Sequence, residues 1–169
     1  STPDNSDTQH HDDLSAIRVC AAHRLAGLSN GREHAPMIKL LLVEDNPVDA
    51  QLTRDLLAEW PLDQFEITHA PILADGLTRL SRDRFDVVLL DLSLPDTHGL
   101  STVTQVLATS PGVPVVVLSG HDDHPLALKA LQHGAQDYLV KGEGGTDFLA
   151  RSILYAIERK RAQERLTYL

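Results

Sequence analysis

The chain has 169 residues, 42% of them hydrophobic, and its 15 basic and 24 acidic side chains give a formal net charge of −9. That length suits one domain plus extensions, the charge speaks against a direct nucleic-acid footprint, and no segment approaches the ~20 apolar residues of a membrane span. The acidic start "STPDNSDTQHHDD" lacks the basic-then-apolar order of a secretory signal, and the single Cys20 cannot form an internal disulfide, so a cytoplasmic setting is expected.

Residues 1–36 read as an N-terminal extension, partly disordered, in which Leu14, Ile17, Ala21, Leu25 and Leu28 fall at helical spacing ahead of the breaker-rich "LSNGREHAP". Met37, the only methionine, stands directly before the first strand, so the extension is regulatory, an expression remnant or a mis-assigned start. From Ile38 short β-rich runs alternate with helix-period segments of roughly 10–15 residues. The strands are "IKLLLV" (38–43), "FEITHA" (65–70), "DVVLLD" (86–91), "VPVVVLS" (113–119) and "DYLV" (137–140). Five such units imply an α/β fold, a doubly wound parallel sheet with helices on both faces, because parallel strands need crossover connections of one hand. The core domain is expected over 37–150, which carries seventeen acidic against seven basic residues. An acidic body suits divalent cations and basic partners, and it also serves solubility alone.

The last helix is expected to start at an N-cap region, Thr146 and Asp147, and to run to the chain end. Leu149, Ile153, Ala156 and Ile157 give it an apolar face, after which "ERKRAQER" is almost wholly charged. Residues 151–169 are therefore either a solvated helix end or a linker or coiled-coil neck toward a further module or a dimer partner.

Polar residues stand at the carboxyl ends of four strands, where open parallel sheets bind ligands. Glu44 and Asp45 follow the first, Asp91 ends the third, Ser119 the fourth, and Lys141 the fifth. Each has an ordinary reading. Asn46 with Pro47 makes a helix cap after "ED", Asp91 and Ser119 suit turns, and Lys141 suits a solvated loop. Jointly they converge if the first, third, fourth and fifth strands are neighbours. Three carboxylates brought together repel unless a cation neutralises them, and an all-oxygen set suits Mg²⁺. Lys141 and Ser119 would then face phosphoryl oxygens, with Asp91 the nucleophile that forms an aspartyl phosphate.

"LLVEDNPVDA", "VVLLDLSLPDTHGL", "VVVLSG" and "DYLVKG" together resemble the receiver domain of two-component response regulators, over about residues 37–160. The resemblance implies a flavodoxin-like fold with strand order 2-1-3-4-5. It implies phosphoryl transfer to Asp91 from a histidine kinase or histidine phosphotransfer protein. Asp45 would hold Mg²⁺ directly, Glu44 mainly through water, with the Ser93 backbone carbonyl as a further ligand and Lys141 on the acyl phosphate. Ser119 and Tyr138 would form the switch that remodels the face of the fourth helix, fifth strand and fifth helix, a route to a homodimer beside the last helix. Tyr138 also reads as an ordinary half-exposed strand aromatic.

Two positions depart from or tune the pattern. Gly142 replaces the proline that many members carry after the lysine, which leaves the loop geometry less determined. Ser93 and His121 occupy the positions that tune acyl-phosphate hydrolysis, and a phosphoryl lifetime unchanged in His121→Ala would exclude His121 from that role. The resemblance implies a switch with no metabolic substrate, either standing alone or joined to a downstream output domain. The rivals are a phosphorylation-independent interaction module and a Mg²⁺-dependent phosphohydrolase. The latter resembles haloacid dehalogenases, which carry D-x-D after the first strand where Asp91 is followed by Ser93 on the third. A flavin site would need a Ser/Thr/Gly-rich loop where "EDNPVD" stands.

Overall fold

A computed structural model describes residues 37–61, 64–120 and 123–167. The expected helix over Leu14 to Leu28 and His121, expected to tune hydrolysis, lie outside them.

Among the described residues five strands and five helices alternate: β1 (Ile38–Val43), α1 (Pro47–Ala58), β2 (Phe65–Ala70), α2 (Leu73–Arg82), β3 (Val87–Asp91), α3 (Leu100–Thr109), β4 (Val115–Ser119), α4 (His124–Gln132), β5 (Asp137–Val140) and α5 (Gly145–Thr167). All pairings are parallel and the order is β2-β1-β3-β4-β5. The strands β1, β3, β4 and β5 are therefore consecutive neighbours, as convergence of the site requires. Every residue of β3 and β4 is buried, which accounts for their unbroken apolar runs.

One face of the sheet packs Leu41, Val43, Val88, Leu90, Val115 and Val117 against Leu73 and Leu80 of α2, Val103 and Val106 of α3, and Ala130 of α4. On the other face α1 and α5 lie side by side. Two strands start later than the sequence suggests. β4 begins at Val115 rather than Val113 because Pro114 has no N–H to give the ladder, although its carbonyl still accepts from Val88 N at 3.0 Å. β3 begins at Val87 rather than Asp86, whose carboxylate instead accepts from Lys39 N at 2.8 Å.

Helix α1 starts as expected, with the Asn46 side chain accepting from Val48 N and Asp49 N and Pro47 in the first turn. Helix α2 has Ile72 at its N-cap, a side chain with nothing to offer the free N–H groups. Asp96, in the loop after β3, supplies both bonds: Leu73 N donates to Oδ1 and Ala74 N to Oδ2, each at 2.9 Å. Slight burial pushes the Asp96 carboxyl up, but these two N–H groups outweigh it and hold the group below the usual carboxylate range. Asp96→Ala is expected to cost about 1 kcal/mol in urea denaturation at pH 7, as for other lost caps. Because the folded-state value is depressed, the difference from the parent should close as pH falls below about 4, the ordinary aspartate range.

Helix α5 begins at Gly145, so Thr146 lies inside it and donates its hydroxyl to Glu59 Oε2 at 2.9 Å instead of capping. Its buried residues end at Ile157, and beyond that the helix continues to Thr167 outside the core. Arg159 ties this stretch to β5 through the Gln136 carbonyl at 3.2 Å and Asp137 at 3.5 Å.

Candidate functional site

The carboxyl ends of β1, β3, β4 and β5 bring Glu44, Asp91, Ser119 and Lys141 into one region of the sheet edge. Asp91 is the last residue of β3 and is only 4% exposed. Its Oδ1 accepts from Ser93 N at 2.9 Å and its Oδ2 from Lys141 Nζ at 3.1 Å, so the carboxylate is held from both sides. Glu44 is 1% exposed; its Oε1 accepts from Asn46 N at 3.1 Å and its Oε2 lies 2.7 Å from Lys141 Nζ. Asp45 is exposed at the rim. One carboxylate oxygen from each of Glu44, Asp45 and Asp91 lies within 4.8 Å of the others, and these are hard donors on a site open to solvent at Asp45. The arrangement fits a divalent oxygen-seeking cation such as Mg²⁺.

Burial pushes the Glu44 carboxyl up, and Asp91 adds to the push through a hydrogen bond and repulsion; Lys141 and Asn46 oppose it, leaving the group at about 7. Burial disfavours the Lys141 ammonium, but Glu44, Asp91 and Asp49 more than compensate and raise its pKa above the usual lysine value. Lys141 is thus a fixed positive charge among acids.

Ser119 is 1% exposed and its Oγ donates to the Leu139 carbonyl at 3.5 Å, a long bond that leaves the hydroxyl weakly held. Tyr138 is half-buried and meets the ring of His124 edge-on, with centroids 6.1 Å apart. Ser93 is exposed on the loop after Asp91. Gly142 has φ of 81°, a left-handed conformation that glycine reaches and proline does not, so the loop here takes a path that a proline could not follow.

Two residues of the site escaped the sequence. Asp49, in the first turn of α1, places Oδ2 3.1 Å from Lys141 Nζ. His69 of β2 places Nε2 2.7 Å from the Glu44 carbonyl, where the ring N–H donates and pins the backbone that carries the two acids. The visible signal for Asp49 was an extra carboxylate in "EDNPVD"; nothing local marked His69.

The family model described as response regulator receiver domain matches residues 40–152. The chain is 38% identical over 100 residues to the regulatory protein LuxO of Vibrio cholerae, covering 59% of this chain and 21% of that protein. It is 32% identical over 125 residues to the swarming motility regulation protein RssB of Serratia marcescens, covering 74% and 55% respectively. It therefore spans from about a fifth to just over half of these relatives. A solved response regulator receiver domain protein from Clostridium thermocellum has a TM-score of 0.66 and 28% identity over 75% of this chain and 99% of that one. A CheY-like receiver from Methanospirillum hungatei JF-1, with a TM-score of 0.65 and 20% identity over 75% and 98%, shares the fold.

Proposed function

The chain belongs to the response regulator receiver family of two-component signal transduction, and on that premise we propose that Asp91 is the acceptor in a Mg²⁺-dependent phosphorelay. What carries the reading is the convergence of Glu44, Asp45 and Asp91 within 4.8 Å beside the Lys141 ammonium. A histidine kinase or histidine phosphotransfer protein is the expected donor. One Asp91 oxygen attacks phosphorus, the P–N bond of the phosphohistidine breaks, and the imidazole leaves with its electron pair and takes a proton.

Asp45, Glu44, Asp91 and the Ser93 carbonyl would hold Mg²⁺, which when bound neutralises the acids and the incoming phosphoryl oxygens. The protein's own groups do the rest. Ser93 N and Lys141 fix the direction of the Asp91 carboxylate, and burial strips it of water. Lys141 is placed to donate to a phosphoryl oxygen once its bond to Asp91 is released. Ser119, held only by its 3.5 Å bond, is free to turn toward the added charge, and Tyr138 would leave its edge contact with His124 as the face of α4, β5 and α5 rearranges. A negligible metabolic turnover follows, since the protein itself is the substrate.

The output acts either through contacts of the receiver itself or through α5, whose part past Ile157 has the charge and exposure of a neck toward an output domain or a second copy. No described helix is long and apolar enough to cross a membrane. Uptake from phosphoramidate, a small P–N donor, should require Mg²⁺ and fall at least about 10-fold in Asp45→Ala at limiting Mg²⁺, the scale of losses when a metal site is disturbed. Uptake indifferent to both metal and Asp45 would contradict the reading.

A further inference from the structure

We propose that Asp49 is a positioning residue that holds the Lys141 ammonium in line with Asp91, and that it acts through the lysine without touching the phosphoryl group. The proposal rests on the receiver reading above. An ammonium has three N–H bonds. In the structure two of them go to Asp91 Oδ2 and Asp49 Oδ2, each at 3.1 Å, while Glu44 Oε2 stands 2.7 Å from Nζ as an ion pair. Asp49 comes from α1 and is 92 positions from Lys141 in the chain, so the contact fastens the β5 end to the helix that opens beside the two β1 acids.

The lysine needs such a restraint because it has room to move. A cavity of about 180 Å³ opens beside it, lined by Asp49, Leu52, Leu139, Gly142, Glu143 and Phe148 among others. The backbone after Lys141 is a weak constraint, since Gly142, Gly144 and Gly145 all have positive φ. A flexible four-carbon stem beside an open space is held by its head or not at all. When Asp91 becomes an acyl phosphate, the N–H now given to Asp91 must pass to a phosphoryl oxygen while Asp49 keeps its own and Glu44 faces the ammonium as an ion pair. Asp49 is half-exposed, its side chain 35% accessible against 1% for Glu44, so it supplies the acceptor at the outer side of the ammonium.

Geometry and charge predict opposite results. If Asp49 positions the lysine, Asp49→Ala lowers the maximal rate of phosphoryl uptake, by about 3- to 10-fold given the cost of small misplacements, with little change in the donor concentration at half-maximal rate. Asp49→Asn, which keeps an acceptor oxygen and removes the charge, restores the rate to within about two-fold of the parent by the same geometric reasoning. If Asp49 acted only as a negative charge that repels the anionic donor, both variants would react faster.

The test measures initial rates with acetyl phosphate and Mg²⁺ for the full chain and both variants, beside ¹H–¹⁵N NMR of the Lys141 ammonium without donor. The proposal expects a solvent-protected ammonium signal in the parent and in Asp49→Asn, broadened in Asp49→Ala. Faster uptake in both variants, or Asp49→Ala equal to the parent in rate and in ammonium signal, overturns it. A parent that takes up no phosphoryl group overturns the receiver reading instead, and the ammonium signal then decides by itself whether Asp49 holds the lysine.

Discussion

Lys141→Met should slow phosphoryl uptake by about 100-fold, the scale at which one pre-placed electrostatic donor acts, and destabilise the metal-free fold at pH 8 by about 3 kcal/mol. Methionine keeps most of the apolar stem and removes the ammonium, so the effect is read on charge rather than volume. Glu44 and Asp91, 1% and 4% exposed, would be left without the cation that now lies 2.7 Å and 3.1 Å away. The raised pKa of Lys141 keeps it charged throughout the neutral range, so its contribution is lost only above the ordinary lysine value. The pH dependence of the difference therefore comes from the acids: Lys141 holds the Glu44 carboxyl down, so without it Glu44 keeps its proton to higher pH than in the parent, and the penalty shrinks as pH falls and Glu44 is neutralised. Urea denaturation of parent and mutant in EDTA at pH 5.5 and pH 8 measures this. A difference that is equal at both pH values would show that the ion cluster is not its source.

The second large effect belongs to Glu44 in the parent. Its carboxyl is raised from 4.5 to about 7, chiefly by burial and then by Asp91. The folded chain keeps this proton where the unfolded chain has released it, so the stabilisation is full below pH 4.5 and is lost as pH rises toward 7. A shift of that size corresponds to about 3 kcal/mol over the window. Glu44→Gln has no proton to lose and should remove most of the slope while keeping the side-chain volume. Denaturation midpoints followed from pH 4.5 to 8 without metal test it, and parallel curves for parent and Glu44→Gln would contradict it. The Asp96 cap titrates in the opposite sense and at lower pH, so the two effects separate.

The fold was legible because its signals are local. Unbroken apolar runs such as "VVLL" mark strands covered on both faces, and Asn46-Pro47 marks the start of α1; both agree with the structure. The acids and the lysine were legible as a candidate site because the doubly wound order carries strand ends to one edge, a rule that needs no side-chain detail. The onset of β4 shifted because the missing N–H of Pro114 outweighs the β-propensity of Val113. The Asp96 cap spans 22 residues and the Asp49–Lys141 bond spans 92. Neither has a period or spacing that marks it, since each depends on where the packed sheet sets two loops. Asn46 illustrates how a plain reading and a functional one coexist: it caps α1 through its side chain while its backbone N–H holds Glu44.

The central claim is that Asp91 itself carries the phosphoryl group. Intact mass after incubation with acetyl phosphate, followed by borohydride trapping and peptide mapping, tests it in the parent and in Asp91→Asn, with and without Mg²⁺. The account predicts one added phosphoryl group in the parent, only with Mg²⁺, and an aspartate-to-homoserine change at position 91 after reduction; Asp91→Asn should show neither. No added mass under any condition, or an addition that survives Asp91→Asn, would contradict it.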